Sequence, residues 1–276
     1  MKNKTPFVSV VIPVYNTEKY IWEALESIIM QSFWDFECIV IDDYSTDDTY
    51  KKCLSYAQKD NRIKCFQNEK NIWVVKTRNR LLSYINPKSK YIAIMDADDI
   101  SHPHRLEEQV LYLEKNISYS IVGSHTSIID ELSKKIRVRK YPERHKEVSK
   151  TIFEKSPLAQ PAVMIRKKDL EQVWLYNEKF ERCQDYELWC RFFDAGYKIW
   201  NIQKELLFYR VFSQQGKSKH LKLTLKNTLK IQRKYIFQKK YFSIIYLIHF
   251  ILKVILLVFP NSLILYLFKK IEYKNA

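Results

Sequence analysis

Two carboxylates one residue apart carry the clearest chemical signal in this chain of 276 residues. Asp96 and Asp98 follow the apolar run Tyr91-Ile92-Ala93-Ile94-Met95, in the order Asp96-Ala97-Asp98-Asp99. So acidic a run does not suit a core. Alternate residues of an extended segment share a side, so Asp96 and Asp98 at a strand's end can face one small volume. Placed so, they repel unless a cation intervenes. Mg2+ or Mn2+ suits such oxygen donors, and ordinarily takes substrate phosphates as further ligands. An acidic helix start is the alternative: Asp99 or Ser101 could cap a helix entered at Pro103.

A second group lies at 181–193, Glu-Arg-Cys-Gln-Asp-Tyr-Glu-Leu-Trp-Cys-Arg-Phe-Phe. Leu188, Trp189, Phe192 and Phe193 give it a helical apolar face, and Asp185 stands at its start. There a carboxylate can cap the helix, or point into a cleft and accept a proton. His102 and His104 could act as ligands, but histidines two apart around a proline at a helix start more often face solvent.

The elements that must position these groups alternate along the chain. Residues 7–14 form a β-branched apolar run, read as a strand buried on both faces. Thr17 is placed to cap a helix reaching to about residue 31. A second strand at 36–41 ends in Asp42-Asp43, and a helix follows at 49–59. A third strand spans 63–67, residues 71–82 begin as a loop and become helical, and 91–95 is the fourth strand. This alternation predicts a doubly wound, mostly parallel sheet flanked by helices. Ligands of such sheets bind beyond the carboxyl ends of the strands. Three of those ends are polar here: Tyr15-Asn16, Asp42-Asp43 and Asp96 with Asp98.

Farther on, the pattern predicts a helix at 105–115 and a strand at 121–129, with 137–141 pairing to it. The basic stretch 134–146 reads as a solvated loop or hairpin. A short strand is expected at 162–165, a helix stop at Gly196, and closing strands at 198–202 and 206–211 before a loop at 213–216.

Net charge is +16, but from Gln214 to Ala276 there are thirteen Lys/Arg against the single Glu272. The remainder is close to balanced, which argues against a nucleic-acid-binding face on the main domain. Five cysteines are scattered without Cys-x-x-Cys spacing, so a zinc site or disulfide framework is not expected and a reducing compartment fits. Residues 1–6 are polar and lack the apolar core of a signal peptide, so the catalytic portion is expected in the cytoplasm. Only three glycines are present, so many turns must use Asn, Asp, Ser or strained geometries.

Taken together, six motifs resemble family 2 glycosyltransferases of the GT-A fold over residues 6–212. They are Val-Ser-Val-Val-Ile-Pro-Val-Tyr-Asn at 8–16, Asp-Asp-Tyr-Ser-Thr-Asp-Asp-Thr at 42–49, Thr-Arg-Asn at 77–79, Asp-Ala-Asp-Asp at 96–99, Pro-His-Arg-Leu-Glu-Glu-Gln at 103–109 and Gln-Asp-Tyr-Glu-Leu-Trp-Cys-Arg at 184–191. The resemblance implies a nucleotide-sugar donor, most often a UDP-sugar, and a divalent metal. Carried over residue by residue, Pro13, Val14, Tyr15 and Asn16 would border the nucleobase. Asp42 or Asp43 would hydrogen-bond uracil, and Arg78 would help hold the nucleotide. Asp96 would meet the ribose or the metal, with Ala97 beside it, Asp98 would bind the metal, and Asp185 would be the base. Tyr15 could equally be a packing residue, and Arg78 a partner of Asp42 or Asp43. The resemblance also implies inversion at the anomeric centre. Tyr44 and Trp73 stand where the family usually has glycine, and Tyr44 suits that place if its turn keeps negative φ. Gln184 replaces a frequent Glu, which leaves Asp185 to act as base. A nucleotidyltransferase would want a phosphate loop rich in Gly, Arg or Lys after the first strand, which Pro13-Val14-Tyr15-Asn16 is not. A non-catalytic membrane scaffold would have no need of Asp96, Asp98 and Asp185.

The charge shift divides the chain into a transferase domain at 1–215 and a helical tail at 216–276. Residues 219–240 read as a basic amphipathic helix, and 242–259 as an apolar helix interrupted by Ser243, Tyr246, His249 and Lys253. A turn at 260–262, an apolar stretch at 263–268 and Lys269-Lys270 follow. The expected arrangement is a hairpin lying in the interface of an anionic membrane, with a bilayer span or a helical cap on the domain as alternatives. An attached enzyme suits a lipid-linked saccharide acceptor, hence polysaccharide or lipooligosaccharide assembly at the cytoplasmic face of a bacterial inner membrane.

Overall fold

The computed structural model describes residues 5–212, 220–261 and 263–264. The boundary at 215/216, the loop at 213–216 and nearly all of the apolar stretch 263–268 with Lys269-Lys270 lie outside the described residues.

In chain order the elements are β1 (Val8–Val14), α1 (Ile21–Ile29), β2 (Phe36–Asp42), α2 (Thr49–Lys59), β3 (Ile63–Gln67), α3 (Val74–Tyr84), β4 (Tyr91–Ile94), β5 (Ile100–Ser101) and α4 (Arg105–Lys115). Then come β6 (Tyr119–Ile129), β7 (Lys135–Arg139), α5 (His145–Ser149), β8 (Met164–Arg166), α6 (Lys167–Val173), α7 (Gln184–Asp194), β9 (Lys198–Arg210), α8 (Leu221–Ile236) and α9 (Ile244–Leu256).

One sheet runs β3-β2-β1-β4-β8-β6-β9-β5, with β7 beside β6. Its first four strands are mutually parallel. β8 is antiparallel to both β4 and β6, and β6 is parallel to β9. The sheet is therefore mixed, with a parallel half that delivers Asn16, Asp42 and Asp96 to one edge.

Strand alternation feeds two cores. Val8, Val10, Ile12 and Val14 meet Ile21, Ala24, Leu25 and Ile28 of α1 on one face. Val11, Ile39, Ile41, Ile92 and Ile94 meet Leu81 and Trp189 on the other. Pro13 breaks no ladder. Val14 accepts from the Asp43 N–H and Val11 from the Met95 N–H, which aims the Pro13 nitrogen toward β4, beyond β4's last paired residue.

Several expectations need correction. Thr17 does not cap α1 with its side chain; its carbonyl accepts from the Tyr20 and Ile21 N–H groups, and the helix begins at Ile21. The closing strands are one strand, β9, whose slips of register against β6 near Ser124 and His125 absorb the polar residues between its apolar halves. Within the basic stretch 134–146 the hairpin alternative holds, since β7 pairs antiparallel with β6, and only its last residues depart from it by entering α5.

α8 buries Leu225, Leu229, Ile231, Tyr235 and Ile236, and packs on α7 and α9. The hairpin is thus joined to the domain's core, as the cap alternative required. Among the described residues no helix is long and apolar enough to cross a membrane.

Candidate active site

β4 carries its chain out of the core and into the acidic turn. Met95 is buried, Asp96 and Asp98 are partly exposed, and the Asp99 N–H closes the turn on the Asp96 carbonyl. Ala97 is buried and contributes packing. Asp96 Oδ1 accepts a 2.7 Å charge-assisted bond from Arg78 Nη2. Arg78 therefore does not pair with Asp42 or Asp43.

The three residues of Thr77-Arg78-Asn79 have separable tasks. Thr77 Oγ1 accepts from Asn68 Nδ2. Asn79 clasps the backbone of Tyr176, donating to its carbonyl at 3.0 Å and accepting its N–H at 2.9 Å. Tyr176 lies with its ring centre 6.0 Å from the Arg78 guanidinium, and its hydroxyl accepts from Gln160 Nε2. Arg78, 7 % exposed, is thus seated between an aromatic ring and a carboxylate.

Asp98 is only partly open to water, and burial, with Asp96 beside it, pushes its carboxyl up to about 6. Arg210, buried at the end of β9, donates from Nε to the Asp98 carbonyl and from its backbone N–H to Asp99 Oδ1, both at 2.8 Å. Its Nη2 reaches Glu23 Oε2 and its plane covers Tyr20. Asp99 is therefore a buried strut, and Ser101 lies within β5; neither is a helix cap.

At the neighbouring strand ends, Asp42 is consumed by its own turn. Its Oδ1 accepts from Ser45 Oγ, and its Oδ2 from the Ser45 N–H and Gln67 Nε2. Asp43 Oδ1 accepts from Asn68 Nδ2 and from the Ile72 N–H. Asn16 Oδ1 accepts from the Thr46 N–H, and the Asn16 N–H donates to Ser45 Oγ. Val14 is buried against α1, and Pro13 lines a small cavity shared with Arg78 and Tyr176. Tyr15, 47 % exposed, is not a core residue. A cleft of about 540 Å³ opens beside Asn16, between Tyr20, Asp47 and Phe212.

The scarcity of glycine shows in the backbone. Asn16, Tyr44, Trp73 and Cys183 all have positive φ, at 49°, 65°, 71° and 62°. Tyr44 thus departs from the negative φ expected of it. Trp73, with ψ 150°, occupies a region that side chains other than glycine's rarely enter.

Asp185 lies in the first turn of α7, after Cys183 in left-handed geometry. No side chain caps this helix, so the capping alternative for Asp185 does not hold. Burial raises its carboxyl above the usual range, while the Tyr186 N–H and Arg78 pull the other way. Arg78 is close enough to both Asp96 and Asp185 for each carboxylate to stabilise its charge. Asp98 responds to Asp96 and Arg78, so these four residues share one electrostatic neighbourhood.

His102 and His104 lie outside it, and His104 Nδ1 is engaged with Ser32 Oγ and Glu107 at the surface. Among the described residues no group of three or more His, Cys, Asp and Glu is arranged to hold a metal. Asp98 and the second oxygen of Asp96 still suit Mg2+ or Mn2+, which need few protein ligands when substrate phosphates complete the shell. The mutual repulsion of the two half-buried carboxylates fits such a guest. Arg210, Tyr176 and Gln160 escaped the sequence reading. Arg210 carried one signal, a cation closing an apolar strand.

The sequence profile of "Glycosyl transferase family 2" matches residues 9–174. An uncharacterized glycosyltransferase of Methanocaldococcus jannaschii is 37% identical over 211 residues, 75% of this chain and 71% of the relative. The O-antigen biosynthesis glycosyltransferase WbnJ of Escherichia coli is 32% identical over 75% of this chain and 80% of its own length. Among solved structures, the mannosyltransferase PcManGT from Pyrobaculum calidifontis, in complex with GDP-Man and Mn2+, superposes with a TM-score of 0.64 at 16% identity, over 94% of this chain and 72% of that one. Residues 1–349 of S. aureus TarS, in complex with UDP-GlcNAc, superpose with a TM-score of 0.61 at 21% identity, over 86% of this chain and 73% of that one. At such identities the structures show a shared GT-A fold. Profile and sequence relatives go further: this chain belongs to glycosyl transferase family 2.

Proposed function

We propose that this glycosyltransferase moves a hexose or N-acetylhexosamine from a UDP-sugar to a saccharide acceptor, with inversion. The observation that carries the reading is that Asp96 and Asp185, far apart in sequence, both stabilise the charge of one buried guanidinium, that of Arg78, Asp96 through a 2.7 Å bond. A donor diphosphate at Asp96 and Asp98 then lies within reach of a base at Asp185.

In the reaction, an acceptor hydroxyl oxygen forms a bond to the anomeric carbon as the bond from that carbon to the diphosphate breaks. The hydroxyl proton passes to Asp185, and UDP leaves with the electron pair. One displacement inverts the centre. A raised carboxyl suits Asp185 to take a proton at neutral pH. Tyr176 and Asp96 hold Arg78 so that its charge faces the nucleotide. Asp43, whose Oδ1 is anchored, offers Oδ2 to the base, whereas both oxygens of Asp42 are spent on the turn. Asn16 and Tyr15 border the base, with Pro13, Val14 and Ala97 as packed support. Asp98 and Asp96 would hold Mn2+ or Mg2+, which would offset charge on the departing diphosphate.

The acceptor is proposed to be lipid-linked and the enzyme to work at the cytoplasmic face of a bacterial inner membrane, as a peripheral or monotopic protein. The cationic tail and the O-antigen role of WbnJ support this. Measuring nucleoside diphosphate release, UDP or GDP, from a panel of UDP- and GDP-sugars with Mn2+ tests the donor reading. Release confined to UDP-sugars is expected. Release from GDP-sugars alone would overturn the donor, and no release from any donor, with lipid-linked acceptor supplied, would overturn the activity.

A further inference from the structure

A helix on a wet protein surface ordinarily turns its apolar stripe inward. α9 does the reverse. Tyr246, His249, Phe250 and Lys253 fall on one stripe, at helical spacing. That stripe faces the domain. The Tyr246 hydroxyl donates to the Ser149 carbonyl at 2.7 Å, and Lys253 Nζ donates to the Glu154 carbonyl at 2.6 Å. His249 Nδ1 lies 3.2 Å from Glu154 Oε1, and Phe250 packs against the core edge-on to Phe237. The polar residues of α9 are therefore spent on the end of α5 and the segment that follows it.

The opposite side is aliphatic and bare. Ile244, Ile248, Ile251 and Ile255 are 62%, 51%, 47% and 47% exposed, and Leu252, Val254 and Val258 flank them. Among the described residues nothing covers this face. Water is a poor neighbour for so much contiguous aliphatic surface.

The geometry points to an anionic lipid bilayer as the occupant: α9 lies in the interfacial plane with Ile244, Ile248, Ile251 and Ile255 among the acyl chains, while Tyr246, His249 and Lys253 bolt it to the domain. This rests on the membrane-surface reading above and specifies the contact. Charge selects the bilayer over a second copy of the chain. Residues 220–264 include eight Lys/Arg and no Asp or Glu. Two such hairpins face to face would repel, whereas anionic headgroups attract one. Length selects lying over crossing. Thirteen residues span about 20 Å of helix, short of a hydrocarbon core of roughly 30 Å.

The test uses the full-length protein in co-sedimentation with vesicles of phosphatidylcholine, with and without phosphatidylglycerol. Wild type should pellet with the phosphatidylglycerol vesicles. The pair Ile248→Glu and Ile255→Glu should weaken that binding at least about tenfold, since each removes buried aliphatic surface and adds a like charge to the headgroups. Because both sites are exposed, the melting temperature should hold. As a second arm, Lys226→Glu with Lys230→Glu should abolish the preference for phosphatidylglycerol. Wild type left in the supernatant, or a double isoleucine variant bound as well as wild type, would overturn the inference. So would detergent-free dimers that the isoleucine substitutions dissociate, with no vesicle binding. UDP release by the same preparations keeps the donor reading separate: protein that releases UDP yet ignores vesicles overturns the membrane-surface reading with this inference, whereas vesicle binding untouched by the isoleucine substitutions overturns this inference alone.

Discussion

Arg78 Nη2 stands 2.7 Å from Asp96 Oδ1, and the charge of the same guanidinium is also stabilised by Asp185. One cation thus joins a strand end to the ring of Tyr176, with the Asp185 carboxylate near enough to stabilise its charge. Arg78→Met leaves a partly buried carboxylate without its partner. We expect a loss of about 3 kcal/mol of stability in urea unfolding, within the range for breaking such pairs. Arg78→Lys should recover little, since a lysine ammonium cannot keep both the bond and the ring contact.

Asp185 should display two effects of its burial. If it is the base, its ionised form is the active one, so turnover falls as pH drops through its raised pKa. The acid limb of kcat should therefore lie above the ordinary aspartate range, and vanish from the residual activity of Asp185→Asn. Stability runs the other way. A carboxyl raised in the folded state binds protons more tightly there than when unfolded, so its cost to folding grows as pH rises through the two values and is complete once pH exceeds the folded-state value. Asp185→Asn should therefore melt no lower than wild type at pH 7, and higher if the burial cost dominates.

Trp73 enters α3 through a strained backbone, with φ 71° and ψ 150°. Trp73→Gly should raise stability by about 1 kcal/mol, because glycine enters this region without steric cost. Calorimetric melting measures it. A matching fall in stability would mean that the indole, 76% exposed, makes contacts worth more than the strain.

Arg210 ties the acidic turn to β9 and to Glu23. Arg210→Met should cost about 3–5 kcal/mol, the usual penalty for stranding a buried charge partner. In the fraction that remains folded, Asp98 loses the donor on its own carbonyl. The Mn2+ concentration for half-maximal UDP release should then rise, which a titration of UDP release against Mn2+ reads directly.

Much of this frame could be read from residue patterns. β3, α2 and α4 fall on their expected boundaries because each has a clean apolar period and a clear break. The acidic strand ends stood out because carboxylates do not belong in a core. Other features depend on contacts that no short window holds. β5 has two residues and exists only because β9 returns beside it. Three glycines foretold strained turns and the resemblance pointed to Tyr44 and Trp73, but the positive φ of Tyr44 was not legible, since it depends on the Ser45 bonds to Asp42 that hold the turn. The polar residues of α9 stood in the sequence only as interruptions of an apolar run; in the structure Tyr246 and Lys253 meet the backbone carbonyls of Ser149 and Glu154, contacts no short window holds. Arg210 was hidden because its six partners come from three separate segments.

The central claim divides labour across one cavity: Asp96 and Asp98 serve the donor, and Asp185 serves the acceptor. Calorimetric titration of UDP with Mn2+ into Asp98→Asn and Asp185→Asn, beside turnover of both, tests it most directly. Asp185→Asn should bind UDP within about twofold of wild type while kcat falls by roughly a hundredfold or more, the usual contribution of a general base. Asp98→Asn should lose the Mn2+-dependent part of UDP affinity as well as turnover. Near-normal turnover in Asp185→Asn, or unchanged Mn2+-dependent UDP binding in Asp98→Asn, would contradict the account.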